Sequence, residues 1–148
     1  MDHAPQSTAS QQQADLIDRE RLLASVQALQ PLLLRNVAAT EHERRAAEEN
    51  IQALQRAGVF RTMVPRRYGG CQGSIRTHLE VTAAVAEACA GTAWVVALTN
   101  VCAWFTGLFG AQAQDDVFGA DPDARVAGVF APSGEVRREA GGLRVSGK

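Results

Sequence analysis

From position 88 to position 110 the chain carries no charged side chain. A bilayer-spanning helix needs about 20 predominantly apolar residues, so this run forces a choice before anything else is read. Polar and small residues interrupt it: Thr92, Thr99, Asn100, Thr106 and the glycines Gly91, Gly107 and Gly110. Neither end has the Lys/Arg cluster that anchors a span, because Glu87 precedes the run and Asp115-Asp116 follow it. A helix buried on all sides within a larger helical domain produces the same pattern without lipid. Such a buried helix is expected; a membrane-anchored chain is the alternative, and it would partition into detergent.

Helical periodicity surrounds this run. Leu16, Leu22, Leu23, Val26, Leu29, Leu33 and Leu34 recur at three- and four-residue spacing and predict a first helix over about 14–37. Pro31 lies inside it and predicts a kink or a break. Thr40-Glu41-His42-Glu43 has capping-box form, with Thr40 as N-cap, and opens a helix that turns Ile51 and Leu54 inward and ends at Gly58. A short apolar segment then closes at Pro65, and Arg66-Arg67-Tyr68-Gly69-Gly70 describes a tight surface loop. A third helix begins near Ser74 or Thr77, where Thr77-x-x-Glu80 offers a second capping box, and runs to about 90. The uncharged helix follows to 109, then a short helix or turn through Val117.

The pattern changes at 119–125. Ala120-Asp121-Pro122-Asp123 is a turn-rich linker, and 126–131 reads as a strand. A second strand starts near Val136, Gly141-Gly142 makes the turn, and Leu143-Arg144-Val145 returns. The fold class expected is therefore mainly α: a helical domain over 14–119, then the opening strands of an incomplete β domain over 120–148. About twenty residues of β structure cannot hide their edges, so the sheet is expected to continue past Lys148 and the chain to be a fragment. Residues 1–13, rich in Gln, Ser and Ala, lack the basic and apolar regions of a signal peptide and read as a flexible tail.

Chemistry is sparse. The net charge of −1 gives no whole-chain reason to expect nucleic acid or an anionic membrane as partner. Cys71, Cys89 and Cys102 have no CxxC spacing, which disfavours metal and disulfide and fits a reducing cytoplasm. No phosphate loop, HExxH or GxSxG is present, and no catalytic residue or metal ligand is assigned. His3, His42 and His78 fall on the tail, in an exposed first turn and near a helix start, poor settings for catalysis. Arg66-Arg67 could meet an anion but is more simply a solvated pair, and Glu135-Val136-Arg137-Arg138-Glu139 suits a solvent-facing hairpin strand. Asn100 and Trp104, four apart, share a helix face. They fit either the wall of an aromatic-lined pocket or ordinary core packing.

Several stretches in order carry a resemblance. Leu54-Gln55-Arg56-Ala57-Gly58-Val59-Phe60 followed by Val64-Pro65-Arg66-Arg67-Tyr68-Gly69-Gly70 resembles a passage near the start of acyl-CoA dehydrogenases. Gly91-Thr92-Ala93-Trp94-Val95 and Thr99-Asn100-Val101-Cys102-Ala103-Trp104 resemble that superfamily's branch of two-component, reduced-flavin-dependent aromatic monooxygenases. Residues 117–132, with Gly141-Gly142-Leu143-Arg144-Val145-Ser146-Gly147-Lys148, are similar to the family's entry into its β domain.

The resemblance implies a subunit of three parts, an N-terminal helical domain, a middle β domain and a C-terminal helical bundle, assembled as a tetramer. It implies a flavin, FAD or FMN, between the β domain and the bundle, and a reductase partner that supplies it reduced. By position it assigns Val129, Phe130, Ala131 and Ser133 to the segment whose backbone faces the flavin. It places Trp104 and Asn100 on the helix bordering the flavin and substrate pocket. The family's acid–base residues belong to the C-terminal region, so this chain alone is expected not to catalyse. Two other functions stay open: acyl thioester dehydrogenation, and a non-catalytic helical module that binds a relative through its apolar faces.

Overall fold

Gln and Ala favour helix, and in the computed structural model the polar N-terminal stretch is helical from Thr8 onward. The structure describes residues 8–129, 131 and 134–147. Helix α1 spans Thr8–Arg35 and contains Pro31. Proline removes one intrahelical hydrogen bond, and four residues from the end that loss is absorbed; the break comes instead at Asn36. Leu22, Val26 and Leu33 are buried on its inner face, whereas Leu34, assigned to that face by spacing, is exposed.

The capping box expected at Thr40 does not form. Thr40 lies within α2 (Val37–Glu43), which ends where Arg44 turns left-handed, and α3 (Glu48–Arg56) starts behind Ala47. Thr40 instead accepts, through Oγ1, the N–H of Ala47 at 3.3 Å, so its hydroxyl joins the two helices across the turn. The side chain is the right capping type, but Arg44 breaks the helix one residue after the supposed first turn. Ile51 and Leu54 are buried as expected, and Gly58 follows α3 with φ +77°.

Two short 3₁₀ turns, Val59–Arg61 and Arg66–Tyr68, form the corner before α4 (Ile75–Ala86). Gly70 is there because nothing larger fits: a Cβ would sit 2.0 Å from the carbonyl oxygen of Val64. Ser74, of the two starts considered, is the N-cap of α4 and accepts the N–H of Thr77. Asp15 of α1 accepts from the Ser74 amide (2.9 Å), the Ser74 hydroxyl (2.7 Å) and the Thr77 hydroxyl (2.9 Å). One carboxylate thereby fastens α1 to the first turn of α4.

Helix α4 ends at Ala86, earlier than expected, and α5 (Ala90–Gly107) begins after the extended Cys89. Among the described residues no helix is long and apolar enough to cross a membrane. Nor is α5 buried on all sides. Ala93, Val96, Asn100 and Ala103 form its buried stripe, while Trp94, Trp104 and Phe105 are exposed. Leucines and valines of α1, α3, α4 and α5 make the main core, and a smaller one gathers Val64, Ala103 and Phe118. Helix α6 (Ala111–Phe118) supplies that phenylalanine.

Beyond α6 the segment expected as a strand over 126–131 forms no ladder in its described residues. It lies on α5 instead: a Cβ at Gly128 would come within 2.9 Å of Cys102 Sγ. The hairpin does form, β1 (Glu135–Glu139) antiparallel to β2 (Gly142–Ser146), with Ala140 and Gly141 between the strands and every strand residue exposed.

Burial pushes the Asp15 carboxyl up, but the Ser74 and Thr77 hydrogen bonds outweigh it and hold it below the usual 3.8. A lowered folded pKa gives stability that is present above the unfolded value and lost as pH falls through the folded one. Asp15→Ala is expected to cost roughly 1–3 kcal/mol at neutral pH. It should also shrink the loss of thermal stability on acidification below about pH 4, both read by melting curves across pH.

Candidate functional site

Asn100 occupies the middle of α5 with no exposed surface. Its Oδ1 accepts the N–H of Met63 at 3.1 Å, and its Nδ2 donates to the carbonyls of Val59 (3.0 Å) and Val96 (3.1 Å). A buried amide left unpaired is costly, and here both ends are spent on the corner at 59–63. Asn100 therefore lies behind the surface, fixing Met63 against α5, and does not line either cleft described below. One turn on, α5 has run past that corner, and Trp104 emerges about half exposed. The shared helix face is real, but only one of the two side chains reaches the outside.

Trp104 stands between two clefts. The first, of about 410 Å³, is framed by Pro65, Arg67, Trp104, Leu108 and Gln114. The second, of about 500 Å³, is framed by Ile75, His78, Val101, Trp104 and Phe105, and Met63 contributes to both. Trp104 and Phe105 meet with ring centroids 5.0 Å apart and planes tilted by 56°. Leu108 and Phe109, both exposed, extend this apolar end of α5. A contiguous patch of that kind marks a surface made to be covered.

The first cleft is held by polar contacts. Gln114, buried on α6, donates to the carbonyls of Gly107 (3.0 Å) and Phe109 (2.7 Å) and accepts from Arg67 at 3.0 Å. Arg67 also lies 4.6 Å over the Tyr68 ring, and the Tyr68 hydroxyl donates to Asp115. Arg66 pairs with Asp18 at 2.9 Å. The arginine pair is thus committed within the fold rather than simply solvated.

Residues 119–129 return over this end. Arg61 grips Asp123 with two bonds, Nε at 2.5 Å and Nη2 at 2.9 Å, and fastens the linker to the same corner that Asn100 holds. Val129 and Ala131, two of the four residues that the resemblance assigns to the flavin-facing segment, are exposed. Phe130 and Ser133 lie outside the described residues. Cys71, Cys89 and Cys102 are buried free thiols, and burial pushes the Cys71 thiol up, away from reactivity.

The residue that sequence reasoning passed over is His78. It is 3% exposed on the second cleft, and its Nδ1 has no hydrogen-bond partner. Burial holds its pKa below the usual 6.5, so the ring is neutral at physiological pH. The signal was available: Thr77, His78, Val81 and Val85 form the inward stripe of α4 at helical spacing.

Residues 19–118 match the family described as Acyl-CoA dehydrogenase, N-terminal domain. The oxygenase subunit HsaA of a flavin-dependent monooxygenase from Rhodococcus jostii (strain RHA1) is 37% identical over 120 residues, covering 81% of this chain and 31% of that protein. The oxygenase component of an FADH(2)-dependent resorcinol hydroxylase from Rhizobium sp. (strain MTP-10005) is 33% identical over 148 residues, 100% of this chain and 35% of that one. Among solved structures, XiaF from Streptomyces sp., in complex with FADH2 and glycerol, superposes with a TM-score of 0.85 at 31% identity, over 95% of this chain and 35% of its own. The chain thus spans about a third of the length of these relatives.

Two outcomes are expected from the site's own chemistry. Asn100→Ala should destabilise by roughly 2–3 kcal/mol, because it strands the Met63 N–H and the Val59 carbonyl, read by denaturant unfolding. His78, with its folded pKa lowered, contributes stability present above about pH 6.5 and lost as pH falls. His78→Phe should flatten that slope between about pH 7 and pH 5, read by melting temperature.

Proposed function

This chain belongs to the acyl-CoA dehydrogenase N-terminal domain family, and from that premise we propose a function. It is the N-terminal helical domain of the oxygenase component of a two-component flavin-dependent monooxygenase that hydroxylates an aromatic substrate. The observation that carries the reading is the aromatic end of α5, where Trp104 and Phe105 stand exposed above two clefts. It sits in a domain about one-third identical to oxygenases and hydroxylases of that kind. Acyl thioester dehydrogenation stands second, with neither cleft offering more cationic side chain than the committed Arg67 for a phosphorylated thioester.

Bound reduced flavin supplies the activation of dioxygen; this chain supplies part of the enclosure. Trp104, Phe105 and Leu108 give the substrate side an apolar wall that keeps water from the reacting centre. Asn100 is a positioning residue, holding Met63 where it borders both clefts. This reading assigns Val129, Phe130, Ala131 and Ser133 to the segment that would hold the flavin. In this reading residues 14–119 form the helical domain and 120–148 the entry to the β domain.

A flavin reductase delivers the cofactor, FAD or FMN, and copies of the subunit assemble through apolar surface such as that at Trp94 and Phe109, both exposed. Three free cysteines favour the reducing cytoplasm.

The test uses the polypeptide that carries this domain, with a reductase, a nicotinamide reductant, flavin and a phenol under isotopically heavy dioxygen. One heavy oxygen atom is expected in the hydroxylated product, and Trp104→Ala is expected to lower kcat/KM about ten- to a hundredfold. Dehydrogenation of an acyl thioester, with no oxygen incorporated into either compound, would overturn the reading.

A further inference from the structure

Residues 119–128 belong to neither the helices nor the hairpin, yet they are fastened to the helical domain along their length. Arg61 grips Asp123, with Nε at 2.5 Å and Nη2 at 2.9 Å. Arg125 lies 5.8 Å over the Phe60 ring. Ala124 and Val126 pack on the smaller core of Val64, Ala103 and Phe118. Gly128 crosses α5 at Cys102, where a Cβ would come within 2.9 Å of Sγ. A linker that served only to connect two domains would need none of these contacts.

The ion pair is the directional one, and fixed backbone presents both of its partners. The Asp123 amide donates to the Asp121 carboxylate at 2.9 Å and the Ala124 amide to the Asp121 carbonyl at 3.0 Å, closing the turn through Pro122. Arg61 ends the 3₁₀ turn that begins at Val59, and Asn100 bonds the Val59 carbonyl on one side and the Met63 amide on the other. The Arg61 and Asp123 side chains are 33% and 27% exposed, too shielded for an ordinary solvated pair. A planar fork on a carboxylate fixes angle as well as distance, which a lysine would not do.

Connectivity gives this grip its meaning. Val129 follows Gly128 by one peptide, about 3.8 Å between Cα atoms. Cys102 and Trp104 are two residues apart on α5, about 3 Å along its axis. The crossing at Cys102 thus brings the start of segment 129–133 to the helix that carries Trp104.

Resting on the reading of this domain as part of an aromatic hydroxylase, we propose that Arg61 is a positioning residue for oxygen transfer. Its grip on Asp123 sets how the segment assigned to the flavin stands against the Trp104 wall assigned to the substrate. Loosening it leaves both parts of the site intact but misplaced, and a misplacement of about 1 Å can cost roughly a hundredfold in rate. Substrate affinity, which belongs to the Trp104 side, stays. Dioxygen then takes two electrons from the reductant and two protons from solvent and leaves as hydrogen peroxide, and no oxygen enters the ring.

The first test needs no cofactor. In the chain itself Cys102 lies under Gly128, so its reaction with a maleimide, mapped by mass spectrometry, reports lifting of the linker. Cys89, buried in the main core, reports opening of the whole fold. Arg61→Met and Asp123→Ala are each expected to speed labelling of Cys102 about ten- to a hundredfold and to leave Cys89 unchanged. In the polypeptide that carries this domain, both variants should lower kcat for hydroxylation about tenfold or more, with KM for the phenol within about twofold and reductant diverted into hydrogen peroxide. Unchanged labelling of Cys102, labelling of Cys102 and Cys89 that rises together in both variants, or hydroxylation that stays fully coupled with Cys102 exposed overturns the proposal. Release of Cys102 in variants of a polypeptide that incorporates no oxygen even when unaltered overturns instead the functional reading, and leaves the fastening standing.

Discussion

The amide of Asn100 is the contact on which the candidate site depends. It is fully buried, and it accepts from Met63 while donating to Val59 and Val96, so one side chain joins the middle of α5 to the corner between α3 and α4. Met63 borders both clefts, and Pro65 and Arg61 follow from the same corner. Arg61 carries the constraint onward by gripping Asp123, and through it the linker that returns over α5. An apolar residue at position 100 would pack but would leave the corner without its tie. The exposed aromatic end of α5 is thus placed by a polar residue that never reaches it.

Much of this was legible in the chain. The helices announce themselves by apolar spacing, Ser74 by its place before an amphipathic run, and the hairpin by paired glycines between alternating strands. What failed to read correctly failed for tertiary reasons. Thr40 has the composition of a cap, but the left-handed Arg44 ends its helix first. The segment 126–131 has strand composition, yet its described part lies against α5, where Gly128 meets Cys102. The uncharged run at 88–110 mimics a helix buried all round because its exposed side is also apolar, with Trp94, Trp104 and Phe105. Sequence cannot distinguish apolar surface packed inside a domain from apolar surface offered outward.

The site divides the same way. Trp104 was found because an aromatic on an uncharged helix stands out, and the structure places it between the clefts. Asn100 was found beside it, but its direction, inward to the corner, needed coordinates. His78 was passed over, since a lone histidine near a helix start is ordinary; only burial, a missing partner and a neighbouring cavity together set it apart. The family resemblance read from Val64 to Gly70 and from Gly91 to Trp104 rests on residues that are chiefly architectural. Gly70 is there for its closeness to Val64, and Thr92 because its hydroxyl accepts from buried Asn50.

The most direct measurement is a crystal structure of the polypeptide carrying this domain, with reduced flavin and an aromatic substrate bound. The substrate ring is expected against Trp104, the flavin beside the backbone of Val129 and Ala131, and Asn100 still bonded to Met63. A structure in which the aromatic end of α5 is filled by protein side chains, with flavin and substrate bound away from Trp104, would contradict this arrangement.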